Sequence, residues 1–196
     1  DAVKLAVSMI NINEGSVKST IAFYNYGTVG QNEIDHCVGV NNYDDMVIPE
    51  MEFTSNDRMV AFGDTKAVIF EGAQKPQAIA EIPMDEKTKS IFYNEHYIGI
   101  VTGNEDEAVT NHLAVYDENG KLVMEKDFGL DYSSIEFLTN NEICIRNANV
   151  CDIYTVHGVY KFHHEFEEEL FEIIPGKLKL NYTLVLKDTT QRIRLK

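Results

Sequence analysis

The densest group of side chains that could bind a metal ion or exchange protons is the run HHEFEEE, which spans residues 163–169. If this run is a β-strand, its side chains alternate between two faces. One face then carries His163, Glu165, Glu167 and Glu169, and the other carries His164, Phe166 and Glu168. Imidazole beside carboxylates suits a divalent cation, whereas the same charges on an outer strand prevent edge-to-edge pairing between chains. The run favours edge protection, and we predict no metal site.

Chemistry by a nucleophile or a bound cofactor has no motif to support it. The seven serines lie in no GxSxG elbow, and the sequence has no Gly-rich loop of the phosphate-binding kind. The four histidines outside the run, His36, His96, His112 and His157, are scattered and are interpreted as turn or surface residues. We therefore predict no catalytic residue and no cofactor.

The three cysteines form neither a CxxC pair nor the set of four soft ligands that a structural zinc site requires. The segment EICIRNANVCDIY predicts a hairpin that turns near Asn147 and Ala148 and pairs Cys144 with Cys151. Such a pair can form a cross-strand disulfide or remain as two buried, reduced thiols. The sequence favours the thiols. The third cysteine is Cys37.

The chain is strongly acidic, with 17 Lys and Arg residues against 32 Asp and Glu residues and a formal net charge of −15. Nucleic-acid binders depend on Lys and Arg contacts to phosphate, so we predict no nucleic-acid partner. The field instead attracts cations and basic partners. No apolar run reaches the length of about 18 residues that a membrane span needs. The chain opens with Asp1 instead of Met, and we expect it to begin inside a longer precursor.

Short apolar runs separated by Asn, Asp, Glu and Gly recur along the whole chain. The clearest copy, from Lys89 to Phe128, contains four of them, each rich in Ile, Val, Phe and Tyr and too short for a stable helix. We interpret this copy as one four-stranded antiparallel unit of about forty residues.

Two ladders of apolar side chains repeat with one common period. Third-strand positions fall at Tyr24, Phe70, Tyr116 and Tyr154, at spacings of 46, 46 and 38 residues. First-strand positions fall at Phe53, Phe92, Phe137 and Ile174, at spacings of 39, 45 and 37 residues. A period near forty is typical of the four-stranded blade of a β-propeller. The sequence therefore predicts an all-β fold, a β-propeller built of four-stranded antiparallel blades.

We expect a single propeller domain or fragment over residues 1–196. Its predicted blade parts are 1–45, 46–86, 87–128, 129–168 and 169–196. In this phase the chain starts at a second strand and ends at a third strand. That favours the later part of a larger, incomplete propeller, and the alternative is a small closed ring of roughly four or five blades.

Propeller topology sorts the loops between two faces, because connections from second to third strands share a face with connections between blades. The loops of that face carry most of the loop acids. Our candidate acidic binding residues are Glu105, Asp106, Glu107, Asp64, Asp85 and Glu86. Either this segregation is chance in an acidic protein, or the face binds a basic partner or concentrates cations.

Three segments carry a resemblance to a known family: TIAFYNYGTVGQN (residues 20–32), RMVAFGDTKAVIFEG (58–72) and HYIGIVTG (96–103). They resemble an uncharacterised clostridial family of propeller proteins, a domain of unknown function. The resemblance implies an extracytoplasmic propeller, tethered to the cell membrane by a helix that is not in this chain, and no assigned activity. More distantly, the chain is similar to WD-repeat and quinoprotein propellers. It has no Trp, so the Trp-Asp ending and the tryptophan-docking motifs are absent.

Three functional hypotheses follow. The first is a non-catalytic extracytoplasmic binding or scaffold module for a protein or a cell-surface polymer, which is basic if the acidic face binds it. The alternative is a propeller enzyme, a hydrolase or lyase that acts on a sugar or lactone through an acidic site at the channel mouth. The third is an architectural spacer or sensor domain.

Overall fold

The computed structural model describes residues 4–26, 34–55, 57–72, 75–103 and 111–195. Across these ranges the chain forms 18 β-strands and no helix. Accordingly, these ranges hold no helix long and apolar enough to cross a membrane.

The strands form five sheets, which we call blades I to V. Blade I contains β1 (Lys4–Asn13), β2 (Ser16–Tyr26) and β3 (Ile34–Asp44). Blade II contains β4 (Glu50–Phe53), β5 (Arg58–Phe62), β6 (Lys66–Glu71) and β7 (Gln77–Pro83). Blade III contains β8 (Thr88–Tyr93), β9 (Tyr97–Gly103), β10 (Asn111–Asp117) and β11 (Leu122–Phe128). Blade IV contains β12 (Ser134–Phe137), β13 (Glu142–Asn147), β14 (Val150–Thr155) and β15 (Tyr160–Glu165), and blade V contains β16 (Leu170–Pro175), β17 (Asn181–Leu186) and β18 (Thr190–Arg194).

Every sheet is an antiparallel meander in which successive strands pair in chain order, without a crossover. Blades II, III and IV have four described strands each, and blades I and V have three. The all-β prediction and the four-stranded antiparallel unit are confirmed.

A β-bulge recurs in the last strand pair of blades I to IV. The pairing register shifts at Phe23/Tyr24, Ile69/Phe70, Val115/Tyr116 and Ile153/Tyr154. The second residue of each pair is one of the third-strand positions that set the predicted period. Because a bulge bends its strand and increases the local twist, this ladder marks the same bend in four successive blades.

The first-strand ladder marks the correct strands but not a uniform core. Phe92 on β8 is 7% exposed, whereas Phe53 on β4 and Ile174 on β16 are 37% and 41% exposed. Apolar type alone therefore identifies the strand and not the depth of the side chain.

The turn between β10 and β11 has the predicted chemistry. Gly120 adopts a left-handed conformation, with φ of 75°, and a Cβ placed there would lie 2.6 Å from the Cβ of Ala80. The Asp117 N–H donates to the Lys121 carbonyl, and the Lys121 N–H donates to Oδ1 of Asp117, both at 2.9 Å. Glycine is required both by the backbone conformation and by the close approach.

The chain divides into two compact units. Unit 1 is Asp1–Glu86 with Glu118–Gly120, and unit 2 is Lys87–Asp117 with Lys121–Lys196. In the core of unit 1, Phe23 packs edge-on against Phe70, with ring centroids 5.2 Å apart. In unit 2, one cluster includes Phe92 and a second includes Tyr182. Full burial of one such side chain contributes about 1.5–3 kcal/mol.

The hairpin between β13 and β14 corrects one prediction. The observed partners are Asn147 with Val150, Arg146 with Cys151, and Cys144 with Ile153. The turn therefore lies at Ala148 and Asn149, and the direct pairing of Cys144 with Cys151 is wrong. The reason is backbone conformation, because the left-handed residue of the turn is Ala148, with φ of 48°. Both thiols are free and fully buried on the same side of the sheet.

Candidate functional site

Asp64 lies in the turn between β5 and β6 and fastens this turn to the segment before β4. Its N–H donates to the Val47 carbonyl at 3.0 Å, and its Oδ1 accepts from the Val47 N–H at 3.0 Å. The side chain is nevertheless exposed. Asp64 therefore both fixes the turn and presents a negative charge to solvent.

Backbone hydrogen bonds connect the other turns at the same end of unit 1. The Asp45 N–H donates to the Val17 carbonyl at 2.7 Å, and the Met84 N–H donates to the Thr65 carbonyl at 2.9 Å. With the Asp64 turn, these bonds link the β1–β2 hairpin and the β3–β4, β5–β6 and β7–β8 connections. This is the grouping that propeller topology predicts for these two kinds of connection.

We call this region the acidic end of unit 1. Its exposed acidic residues are Glu14, Asp44, Asp45, Asp64, Asp85 and Glu86. Asp44 forms an ion pair with Lys18 at 3.2 Å between Oδ1 and Nζ. Three of the predicted binding residues thus lie at one hydrogen-bonded end. Glu105, Asp106 and Glu107 lie outside the described residues, and their role stays a prediction.

The run of residues 163–169 does not form one strand, which corrects the alternation predicted for it. β15 ends at Glu165 and β16 begins at Leu170, because the chain turns between blades at this point. Glu167 and Glu169 therefore do not continue the strand face that His163 and Glu165 occupy.

The imidazoles of this run have local partners. His163 Nδ1 lies 2.7 Å from Oδ1 of Asp152 on β14. The His164 ring lies between Phe162 and Phe166, with centroid distances of 5.9 and 4.6 Å. β15 pairs with β14 and forms the edge of its sheet. Among the residues that the structure describes, no group of three or more His, Cys, Asp or Glu side chains could hold a metal ion.

A buried polar cluster in unit 2 was not predicted from the sequence. Glu142 on β13 accepts hydrogen bonds from Lys161 Nζ on β15 and from the Tyr182 hydroxyl on β17, the second at 2.6 Å. Lys161 Nζ also donates to the Tyr182 hydroxyl at 3.3 Å. Glu142 is 8% exposed and Tyr182 is 2% exposed. The cluster joins blade IV to blade V.

The electrostatics of this cluster follow from burial and hydrogen bonding. Burial alone would raise the pKa of the Glu142 carboxyl, but hydrogen bonds from Lys161 and Tyr182 outweigh it, so that pKa lies below its usual value. Burial would lower the pKa of Lys161, yet its hydrogen bonds to Glu142 and Tyr182 raise it. Burial and the hydrogen bond to Glu142 raise the pKa of Tyr182. At neutral pH the cluster is an ion pair with a neutral phenol.

A cavity of ≈ 520 Å³ lies beside this cluster, within the range of about 300–1,000 Å³ that ligand pockets occupy. Its lining includes Asn140, Glu142, Lys161, residues 176–180 of the β16–β17 loop and Asn181 at the start of β17. Sequence patterns do not predict this site, because Lys161 and Tyr182 lie 19 and 40 residues from Glu142. The one local signal is the Lys-Leu-Lys-Leu alternation over residues 177–180.

The meandering sheets and their recurrent bulge define the chain as a β-propeller, and solved propellers share this fold. KlHsv2 with loop 6CD replaced by a Gly-Ser linker matches with a TM-score of 0.52 and 10% identity, over 97% of this chain and 63% of that one. BamB from Moraxella catarrhalis matches with a TM-score of 0.50 and 10% identity, over 98% and 54%. A europium-containing methanol dehydrogenase matches with a TM-score of 0.54 and 8% identity, over 95% and 46%. The chain thus spans about half to two thirds of these proteins, and at such identities the likeness establishes the fold alone.

The family follows from the sequence itself. The chain belongs to DUF5711, a family of unknown function, whose profile matches residues 1–195. No curated protein matches the sequence significantly. The predicted uncharacterised propeller family is thereby confirmed, whereas its clostridial origin and its membrane anchor stay predictions.

Proposed function

We propose that this chain is a non-catalytic binding module of the β-propeller class, and that the acidic end of unit 1 docks a basic protein or a basic surface polymer. The proposal is supported by the hydrogen bonds that link the turns at this end. They hold Asp45, Asp64 and the β7–β8 connection, which contains Asp85 and Glu86, on one bonded backbone. A fixed backbone lets several carboxylates face one partner without a further loss of loop entropy on binding.

The expected interaction is electrostatic and depends on salt. A single exposed ion pair is worth about 0–1 kcal/mol, so one carboxylate cannot provide a useful affinity. Several carboxylates at one end add their contributions and steer a cationic partner during its approach. Because the Debye length is about 8 Å at physiological ionic strength, added salt weakens such binding.

The test is a titration with oligolysine at two or more salt concentrations. The variant Asp64→Asn, Asp85→Asn, Glu86→Gln removes three charges, and Asn at position 64 keeps an oxygen for the Val47 N–H. We expect binding to weaken about tenfold, with a smaller salt dependence.

The control removes the same number of charges elsewhere, from exposed residues on β15, on β16 and in the β8–β9 turn of the other loop face: Glu95→Gln, Glu165→Gln, Glu172→Gln. This variant is expected to bind within about twofold of the wild type. If both variants weaken equally, net charge alone explains the binding and the proposal fails. A third variant, Glu105→Gln, Asp106→Asn, Glu107→Gln, tests the rest of the predicted acidic face.

The enzyme hypothesis would require a carboxyl group that exchanges protons near neutral pH. Glu142 is the buried carboxylate nearest to this description, but both of its oxygens accept hydrogen bonds and its pKa lies below the usual value. Its geometry favours a fixed ion pair over acid–base chemistry. The extracytoplasmic, tethered setting rests on the family resemblance and stays a prediction.

A further inference from the structure

The cavity in unit 2 has the opposite charge to the chain as a whole. Its lining contains one carboxylate, Glu142, and three ammonium groups, from Lys161, Lys177 and Lys179. Glu142 and Lys161 neutralise each other as an ion pair. The two loop lysines therefore leave a local excess of positive charge in a chain whose formal net charge is −15.

The two loop lysines are available to a ligand. Both are exposed, and within the part of the chain that the structure describes neither has an ion-pair partner. Residues 175–181 contain no acid, so no neighbour within this segment balances the two charges.

The β16–β17 loop holds these lysines on a constrained backbone. The Asn181 side-chain amide donates to the Leu178 carbonyl at 3.3 Å and to the Lys179 carbonyl at 3.1 Å. Leu180 adopts a left-handed conformation with φ of 64°, which is unfavourable for a non-glycine residue. The Leu195 N–H donates to the Leu180 carbonyl at 2.8 Å, which fixes the loop at this end.

Apolar surface accompanies the positive charge. Leu178 is 74% exposed and Leu180 is 37% exposed, next to the two lysines. A ligand that occupies this cavity can therefore pair its anionic end with the ammonium groups and lay an apolar part against the leucines.

We propose that this cavity, bounded by the Asn140 turn and the β16–β17 loop, binds the oxyanion group of a small ligand, a phosphoryl or carboxylate group, through Lys177 and Lys179. Lys161 and Glu142 form part of the cavity wall as a neutral pair, which Tyr182 holds in place. This site is independent of the acidic end of unit 1, so either can fail without the other.

The test uses the whole chain and nuclear magnetic resonance of the backbone amides. Inorganic phosphate and acetate are titrated separately, with chloride keeping the ionic strength constant. We expect saturable shifts confined to the amides of residues 140–142 and 176–181. The variant Lys177→Gln, Lys179→Gln should weaken binding about tenfold or more, since each ammonium group lost removes a direct charge contact.

The matched control is Lys187→Gln, an exposed lysine in the β17–β18 turn, which should change the affinity less than about twofold. Tighter binding of phosphate indicates a phosphorylated ligand, and tighter binding of acetate indicates a carboxylated one; both support the site. Shifts that do not saturate, or equal binding by the double variant, would overturn it. Binding only to vesicles of anionic phospholipid, with no response to soluble anions, would also overturn it. Lys177, Lys179 and Lys187 are all exposed. Both variants should therefore melt at the wild-type temperature, which serves as the folding check.

Discussion

Glu142 shows how a charge is accommodated inside this fold. A buried carboxylate without partners would be protonated or would destabilise the chain by several kcal/mol. Here Lys161 and Tyr182 occupy its two oxygens. Glu142 is therefore tolerated because Lys161 and Tyr182 pair with it. Removal of either partner leaves a buried polar group without its hydrogen bond and lowers the stability of the fold.

Loss of the Lys161 charge is expected to destabilise the chain. In Lys161→Met the Glu142 carboxylate stays buried without its cation, so the free energy of unfolding should fall by about 2–4 kcal/mol. Tyr182→Phe removes one neutral donor and should cost about 1–2 kcal/mol. Urea unfolding at pH 7 measures both, with Lys187→Met as the control that should stay within about 0.5 kcal/mol. An equally small effect in Lys161→Met would show that the cluster is solvated and not a buried ion pair.

The pH dependence of stability tests the same cluster, because protonation of Glu142 or deprotonation of Lys161 breaks the ion pair. The folded pKa of Glu142 lies below its unfolded value of 4.5, so its contribution is complete above pH 4.5 and is lost as the pH falls through the lower folded value. The stability difference between the wild type and Glu142→Gln should therefore shrink below pH 4.5. Lys161 behaves oppositely, because its raised pKa keeps its contribution until the pH rises above 10.5. Urea unfolding at a series of pH values measures this difference, and a difference independent of pH would contradict the assignment.

At the level of the strand, the repeat that the sequence predicts has a structural cause. Tyr24, Phe70, Tyr116 and Tyr154 each lie at a register shift in the last strand pair of a blade. Opposite each of these positions the neighbouring last strand carries one extra residue, and such a bulge bends the strand and increases its twist. The sequence shows the period because the same local geometry recurs in blades I to IV.

The register of the β13–β14 hairpin and the end of β15 could not be predicted from the sequence. The β13–β14 register depends on the left-handed conformation of Ala148, and alanine gives no sequence signal for that conformation. The end of β15 depends on where blade V begins, which the continuous acidic run conceals. Strand existence followed from local composition, while register and strand ends depended on tertiary context.

A glycine in blade III should be sensitive to the smallest substitution. A Cβ at Gly99 would lie 2.2 Å from the Phe92 ring. That ring packs against Phe137 at 4.6 Å between centroids and has little room to move. Gly99→Ala should therefore lower the free energy of unfolding by about 1–3 kcal/mol.

The matched control is Gly39→Ala on β3, where the nearest atom to the added Cβ lies at 3.8 Å. Calorimetry or urea unfolding should show little change or a slight gain for this variant, because alanine reduces the entropy of the unfolded chain. Equal losses at both positions would indicate that glycine matters for backbone conformation in general and not for space beside Phe92.

The cysteines should differ in reactivity according to their elements. Cys37 is exposed, whereas Cys144 and Cys151 are fully buried. A hydrogen bond with Cys151 and burial both raise the pKa of the Cys144 thiol, and the thiol form is a poor nucleophile. A chromogenic disulfide reagent should label Cys37 quickly in the native state and the other two only on unfolding. Fast labelling of Cys144 or Cys151 without denaturant, checked by mass spectrometry, would contradict the burial.

Across the whole chain, charge is distributed very unevenly. Residues 175–196 contain six of the 17 Lys and Arg residues and only one acid, Asp188. The acidic end of unit 1 was predictable because it depends on loop composition and blade topology. The cationic cavity of unit 2 was not, since it depends on three strands, the Asn140 turn and the β16–β17 loop, which meet only in the folded chain. Composition thus predicts the negative sign of the overall electrostatic field, whereas the fold determines where the local field is positive.

The most direct test of the central claim is to map where a cationic chain contacts the protein. Oligolysine is titrated into the isotopically labelled protein, and the backbone amide shifts are followed at low and physiological salt. Saturable shifts should concentrate at Asp45, Asp64, Thr65 and Asp85, and should diminish as salt is added. Shifts spread evenly over the exposed acids, or centred on the β15 edge, would contradict a binding role for the acidic end of unit 1.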